Sequence, residues 1–223
     1  MSFKKLLTSA VGRKLTMGAT GLFLVLFLIV HVGLNLCVFA NDGGDMFNRA
    51  AHFMGGNWIP RVLEIGLFFF LIVHIVQGLI LEMSNRAKRA TGYKKSYGNR
   101  GSKWYSRSMA LLGILILIFL ILHISNFWLP NRVHQGFLLG EEINLYDRMK
   151  ITFTVGWIVI VYLIGLIALA YHLMHGFQSA FRSLGVHNNK YNKLLTSIGY
   201  GFAIIVPLLF ALMPLSFYFG FLS

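Results

Sequence analysis

ALAYHLMHGFQSAFRSLG, residues 168–185, closes a long apolar run. It carries a histidine, His172, a glycine one turn on, Gly176, and an arginine, Arg182, where the run gives out. Residues 71–86, LIVHIVQGLILEMSNR, repeat the arrangement with His74, Gly78 and Arg86. Two further apolar runs each hold one deep histidine, His31 and His123. Each run has the ~20 residues a helix needs to cross the hydrocarbon core of a bilayer. Four membrane-length segments with one deep histidine apiece are the pattern to explain.

The chain of 223 residues is 57% hydrophobic and only 12% charged, about half the charge fraction of a soluble domain. This composition predicts an all-α integral membrane protein, residues 1–223 forming one domain of five transmembrane helices. The spans are expected at 17–39, 59–82, 108–129, 152–181 and 194–222. Val38-x-Ala40 has the outline of a signal-peptidase site, but the run before it is too long for a signal core and holds His31 and Asn35, so it reads as a retained first span. Between Gly43-Gly44 and Gly55-Gly56, DMFNRAAHFM fits a short surface helix. Pro60 suits the first turn of the second span. Pro130 is expected to stop the third, and Pro207 and Pro214 to kink the fifth.

The net charge of +13 would suit nucleic acid, but its distribution excludes that class. Of the 20 Lys and Arg, four lie in the N-terminal lead, eight in 84–107 and three in 182–193, against five in the other two connections and their flanks. Basic residues collect in cytoplasmic loops, so the N-terminus is expected inside and the C-terminus outside. The single cysteine, Cys37, rules out an intrachain disulfide and an iron–sulfur cluster held by this chain alone. Haem attached through thioethers needs a CxxCH that is absent.

Depth separates chance from design among the histidines, because an ionisable side chain inside a membrane is a functional candidate. At 1.5 Å per residue, His31 and His123 lie roughly 21 and 22 Å from the basic edge, and His74 and His172 roughly 12 and 13 Å. They fall into two levels about 9 Å apart, an outer pair His31–His123 and an inner pair His74–His172. A zinc ion wants four ligands, and neither level offers a third. Haem iron takes two axial ligands from the protein, so two bis-histidine haems b answer the pattern. Both axial positions are then filled, which points to electron transfer. Gly78 and Gly176, each four residues past an inner histidine, would let a flat macrocycle lie close; ordinary small-residue helix packing is the competing account. His175 rivals His172 as ligand, and the spacing shared with His74 favours His172. His52, His134 and His187 fall in connections and read as surface residues.

These residues resemble the dihaem cytochrome b membrane anchor of succinate:quinone oxidoreductases (succinate dehydrogenase and fumarate reductase), the type with one five-helix subunit. The similarity runs through LIVHVGLN with His31, FNRAAHFM, LEIGLFFFLIVHIVQG with His74, LLGILILIFLILHISNFW with His123 and YHLMHGFQSAFRSLG with His172. It implies the same outer and inner ligand pairs, a fifth helix without a ligand, and flavoprotein and iron–sulfur subunits on the cytoplasmic face of the inner membrane. It also implies a quinone, menaquinone or another, near the outer haem. Glu64, an acid near the outer end of the second span, is the candidate for quinone protons, with solvation or an ion pair to Arg61 as the alternative. Some members carry a further acid two residues before the fourth histidine; Ala170 stands there. Arg86, Lys103, Arg107 and Arg182 are candidates for haem propionates. The subunit is expected to be inert toward succinate by itself. Competing expectations are a haem b subunit of a hydrogenase or formate dehydrogenase, and a haem-free transporter relaying protons through histidines.

Overall fold

Hydrocarbon offers no partner for backbone N–H and C=O groups, so a spanning chain must satisfy them internally, and a helix does so within one segment. The computed structural model describes residues 9–88, 104, 108–133, 143–186 and 189–222. Among them five helices are long and apolar enough to cross a membrane: Val11–Phe39, Trp58–Asn85, Met109–Val133, Gly156–Ser183 and Tyr191–Tyr218, with mean hydropathy between 2.1 and 2.7. The chain is an all-helical, multi-pass membrane protein.

Helix α1, Ala10–Leu36, begins seven residues before the expected edge. Ser9 caps it, its hydroxyl accepting the N–H of Gly12 at 3.0 Å. Its last turn tightens into a 3-10 segment, Cys37–Phe39. Helix α2, Asp45–Gly56, is the expected short helix; the Asp42 carboxylate accepts from Gly44 N and Met46 N at its start. Gly44 has φ +89°, and a Cβ there would collide with the ring of Tyr146, so glycine alone fits that turn. Helix α3 runs Trp58–Lys88.

The third span departs from expectation. Helix α4, Met109–His123, passes into a π-helical turn, Ile124–Trp128, and then into α5, Leu129–Val133. Pro130 therefore does not end the span. It removes the N–H that would bond the carbonyl of Asn126, and Arg148 Nε donates to that carbonyl instead, at 2.8 Å. The fourth span is corrected too. Thr152 and Phe153 belong to a separate helix, α6, Leu145–Phe153, and α7 starts only at Gly156 and runs to Ser183. Val155 between them is extended, and the hydroxyl of Thr154 turns back to Ile151 O at 2.7 Å. Past α7, Gly185 takes φ +84° and Val186 N bonds Phe181 O at 3.1 Å, a left-handed stop that frees the chain from the helix. Helix α8, Asn189–Tyr218, is continuous through Pro207 and Pro214 and ends four residues before the expected edge.

Packing sets the bundle. Helix α1 lies against α3 and α7, and α4 lies against α7 and, more lightly, α3; α8 packs mainly on α7 and also touches α1. The four histidine-bearing helices thus form a ring in the order α3, α1, α7, α4, and neither diagonal, α1 with α4 or α3 with α7, packs closely. At one end, α2 and α6 join through Asn48 Nδ2, which donates to Asn144 Oδ1 at 2.8 Å. There Val38, Phe47, Tyr146, Met149, Phe153, Tyr162, Met213 and Phe217 make a buried cluster. Only 6% of the most apolar stretch of α3, and of α4, is buried, against 39% for α7, so the outward faces of α3 and α4 are apolar surface for lipid.

Candidate functional site

The ring order places the histidines across its diagonals. His31 on α1 and His123 on α4 have ring centroids 5.7 Å apart, with planes at 84°. His74 on α3 and His172 on α7 are 6.2 Å apart, with planes at 66°. Helices whose backbones do not pack are thus bridged in the interior by facing imidazoles. Each partner is the one expected from depth, and the ring opposite His74 is that of His172 rather than His175.

The ring nitrogens differ in their partners. His123 Nδ1 and His172 Nδ1 are buried without a hydrogen bond, which inside a membrane costs on the order of several kcal/mol unless something meets the site's polar groups. His74 Nδ1 lies 3.1 Å from the hydroxyl oxygen of Thr20. His31 Nδ1 lies 3.3 Å from Asn35 Nδ2, whose amide donates to His31 O at 2.8 Å. Aromatic rings wall the His31–His123 pair. Phe27 stacks on His31 at 5.0 Å and Phe119 on His123 at 5.6 Å, with Phe210 and Tyr162 nearby. Among the described residues no three His, Cys, Asp or Glu side chains could share an ion.

The two candidate glycines lie beside open space. A Cβ on Gly78 would meet only Met17 Cε, at 3.9 Å, and one on Gly176 only His172 Cδ2, at 4.0 Å. Gly21 escaped the sequence reading although a Cβ there would stand 3.6 Å from His74 Cε1. Thr20 escaped it as well; a hydroxyl residue eleven positions before His31 in an apolar run was the available signal.

Glu64 is engaged, though not by Arg61. Arg61 Nε donates to Gly55 O at 3.0 Å. Arg132, beyond the π turn, forms the ion pair with Glu64, its Nε 2.9 Å from Oε1 and its Nη2 against Oε2. The indole N–H of Trp128 also donates to Oε1. On the other side of the same π turn, Asn126 Nδ2 donates to the hydroxyl of the buried Tyr162 at 3.2 Å. Of the four basic residues considered for propionates, the side chains of Arg86, Lys103 and Arg107 lie outside the described residues, as do His134 and His187; Arg182 sits in the last turn of α7.

No protein-family model and no solved structure matches the chain. Among curated proteins it is 30% identical over 162 residues to the succinate dehydrogenase cytochrome b558 subunit of Bacillus subtilis (strain 168), an overlap of 72% of this chain and 73% of that protein. With five apolar helices arranged as described, the chain belongs to the family of succinate dehydrogenase cytochrome b membrane subunits.

Proposed function

We propose that the chain is the quinone-reactive anchor of a succinate:quinone oxidoreductase, holding two haems b, one between His31 and His123 and one between His74 and His172. The observation that carries the reading is the pairing of imidazoles across both diagonals of the four-helix ring. Metal–imidazole bonds of about 2 Å on each side put two coaxial ring centroids roughly 6 Å apart, close to both separations. Rotation about a shared axis leaves the angle between ring planes free, so 84° and 66° are equally admissible. The open space beside Gly78 and Gly176 fits a flat group bound in the interior.

Bound there, held by these histidines, haem b would supply a one-electron Fe(III)/Fe(II) carrier. The chain's own residues hold it and exclude water: His31, His74, His123 and His172 present nitrogens, and the rings of Phe27, Phe119 and Phe210 close the His31–His123 level. Glu64, fastened by Arg132 and Trp128, is the acid placed for quinone protons at the end where α2 and α6 lie. Flavoprotein and iron–sulfur partners belong on the opposite, basic face, which is cytoplasmic on the positive-inside argument, with the chain in the inner membrane. Ala170 leaves no second acid for proton movement beside His172.

A reduced-minus-oxidised spectrum of the purified complex tests the reading. It should show b-type α-bands, with about two haems per chain by pyridine haemochrome. Changing His74 or His172 to Ala should remove one haem and spare the other. A spectrum without any α-band would replace this reading with a proton-relaying transporter.

A further inference from the structure

We propose that Thr20 is a positioning residue for the site between His74 and His172: its hydroxyl accepts the Nδ1 proton of His74, reserves Nε2 for the metal, and holds that iron at a lower reduction potential. The inference rests on the two-haem reading above.

The proton count carries it. Thr20 is 3% exposed, in the apolar interior of α1. Its Oγ1 lies 2.8 Å from the carbonyl of Thr16, one turn back, and 3.3 Å from that of Met17. A carbonyl can only accept, so the single hydroxyl proton is directed there. Toward His74 Nδ1, at 3.1 Å, the same oxygen can only accept. Nδ1 must then carry the ring's proton, and in a neutral imidazole that leaves the lone pair on Nε2. Gly21, next along α1, borders the same ring edge: a Cβ there would stand in ordinary van der Waals contact with His74 Cε1, at 3.6 Å.

The other three histidines are arranged differently. His123 and His172 have buried, unpartnered Nδ1 atoms, and the group beside His31 Nδ1 is the Asn35 amide nitrogen, a donor. Among the four, His74 is the one whose Nδ1 faces an acceptor. An imidazole that donates its outer N–H becomes a stronger base toward the metal. It favours the ferric over the ferrous ion, so the one-electron reduction becomes less favourable at this site.

The test is a spectroscopic redox titration of the intact complex carrying Thr20→Val or Thr20→Ser. The component to follow is the one removed by His74→Ala. Thr20→Val should shift its midpoint potential upward and leave the other component in place, while Thr20→Ser, which keeps the acceptor, should restore the unmodified value. Loss of that haem in Thr20→Val with retention in Thr20→Ser also supports the proposal, because the hydroxyl is then what presents the ring. An unshifted component in Thr20→Val overturns it, as does loss of the haem in both variants, which would make the contact one of packing. If His74→Ala removes no haem, the two-haem reading itself fails and Thr20 falls with it.

Discussion

Glu64 shows what a single residue can and cannot disclose. An acid in an apolar run is visible in the sequence, and so are four deep histidines, because each is costly in hydrocarbon unless something compensates it. The compensating group is invisible when it lies far along the chain. Arg132 is 68 positions away, beyond a proline that reads as the end of the span. The nearer arginine, Arg61, looked sufficient but spends its Nε on a backbone carbonyl. The Arg132 and Glu64 side chains are 18% and 19% exposed, so solvent screens them less than it would a surface pair. A double-mutant cycle with Glu64→Gln and Arg132→Gln, read as thermal unfolding in detergent, should give a coupling of about 1–3 kcal/mol. A coupling near zero would make the pair ornamental. Glu64→Gln should also lower quinone turnover while both α-bands remain.

At the scale of elements, the sequence was legible where periodicity and length decide and illegible where one helix answers another. Five apolar runs gave five spans, and Gly43-Gly44 marked the start of α2, which runs on through Gly55-Gly56. The π turn after His123 left no such trace. It exists in company with α6, because Pro130 leaves the carbonyl of Asn126 without its helical donor and Arg148 supplies one. The break before α7 is equally tertiary: Gly156 sits where an added Cβ would lie 3.3 Å from the hydroxyl of Tyr218 on α8. Arg148→Gln should therefore cost about 1.5–3 kcal/mol, the range for a hydrogen bond from a charged donor. The loss should be smaller in a Pro130→Ala background, where residue 130 regains an N–H. Equal losses in the two backgrounds would sever the link between arginine and proline. Where α4 crosses α7, a Cβ on Gly165 would stand 2.6 Å from Phe119 Cβ, the close approach that small residues permit between membrane helices. Gly165→Ala should destabilise by roughly 1–3 kcal/mol through overpacking. Because Phe119 stacks on His123, the spectral change should fall on the haem that His123→Ala removes.

Orientation belongs to the whole molecule and decides which histidine pair meets which partner. The starts of α1, α4 and α8 and the ends of α3 and α7 share one side of the bundle, and the three segments rich in Lys and Arg adjoin it. The opposite side carries α2, α6 and the Glu64–Arg132 pair. Inserting basic segments across a membrane is disfavoured, and 15 of the 20 cations lie in the three segments that adjoin the first side. In a Cys37→Ser background, which removes the one native thiol, Asp42→Cys should react with a membrane-impermeant maleimide on intact cells. Ser96→Cys should react only after the membrane is opened. The same labels test the proposed electron path. With the basic side inside, His74 and His172 are the pair nearer a cytoplasmic iron–sulfur donor, and Glu64 lies at the far end with His31 and His123. Reversed labelling would bring the Glu64 end to the cytoplasm, so that electrons would enter where the quinone is proposed to react.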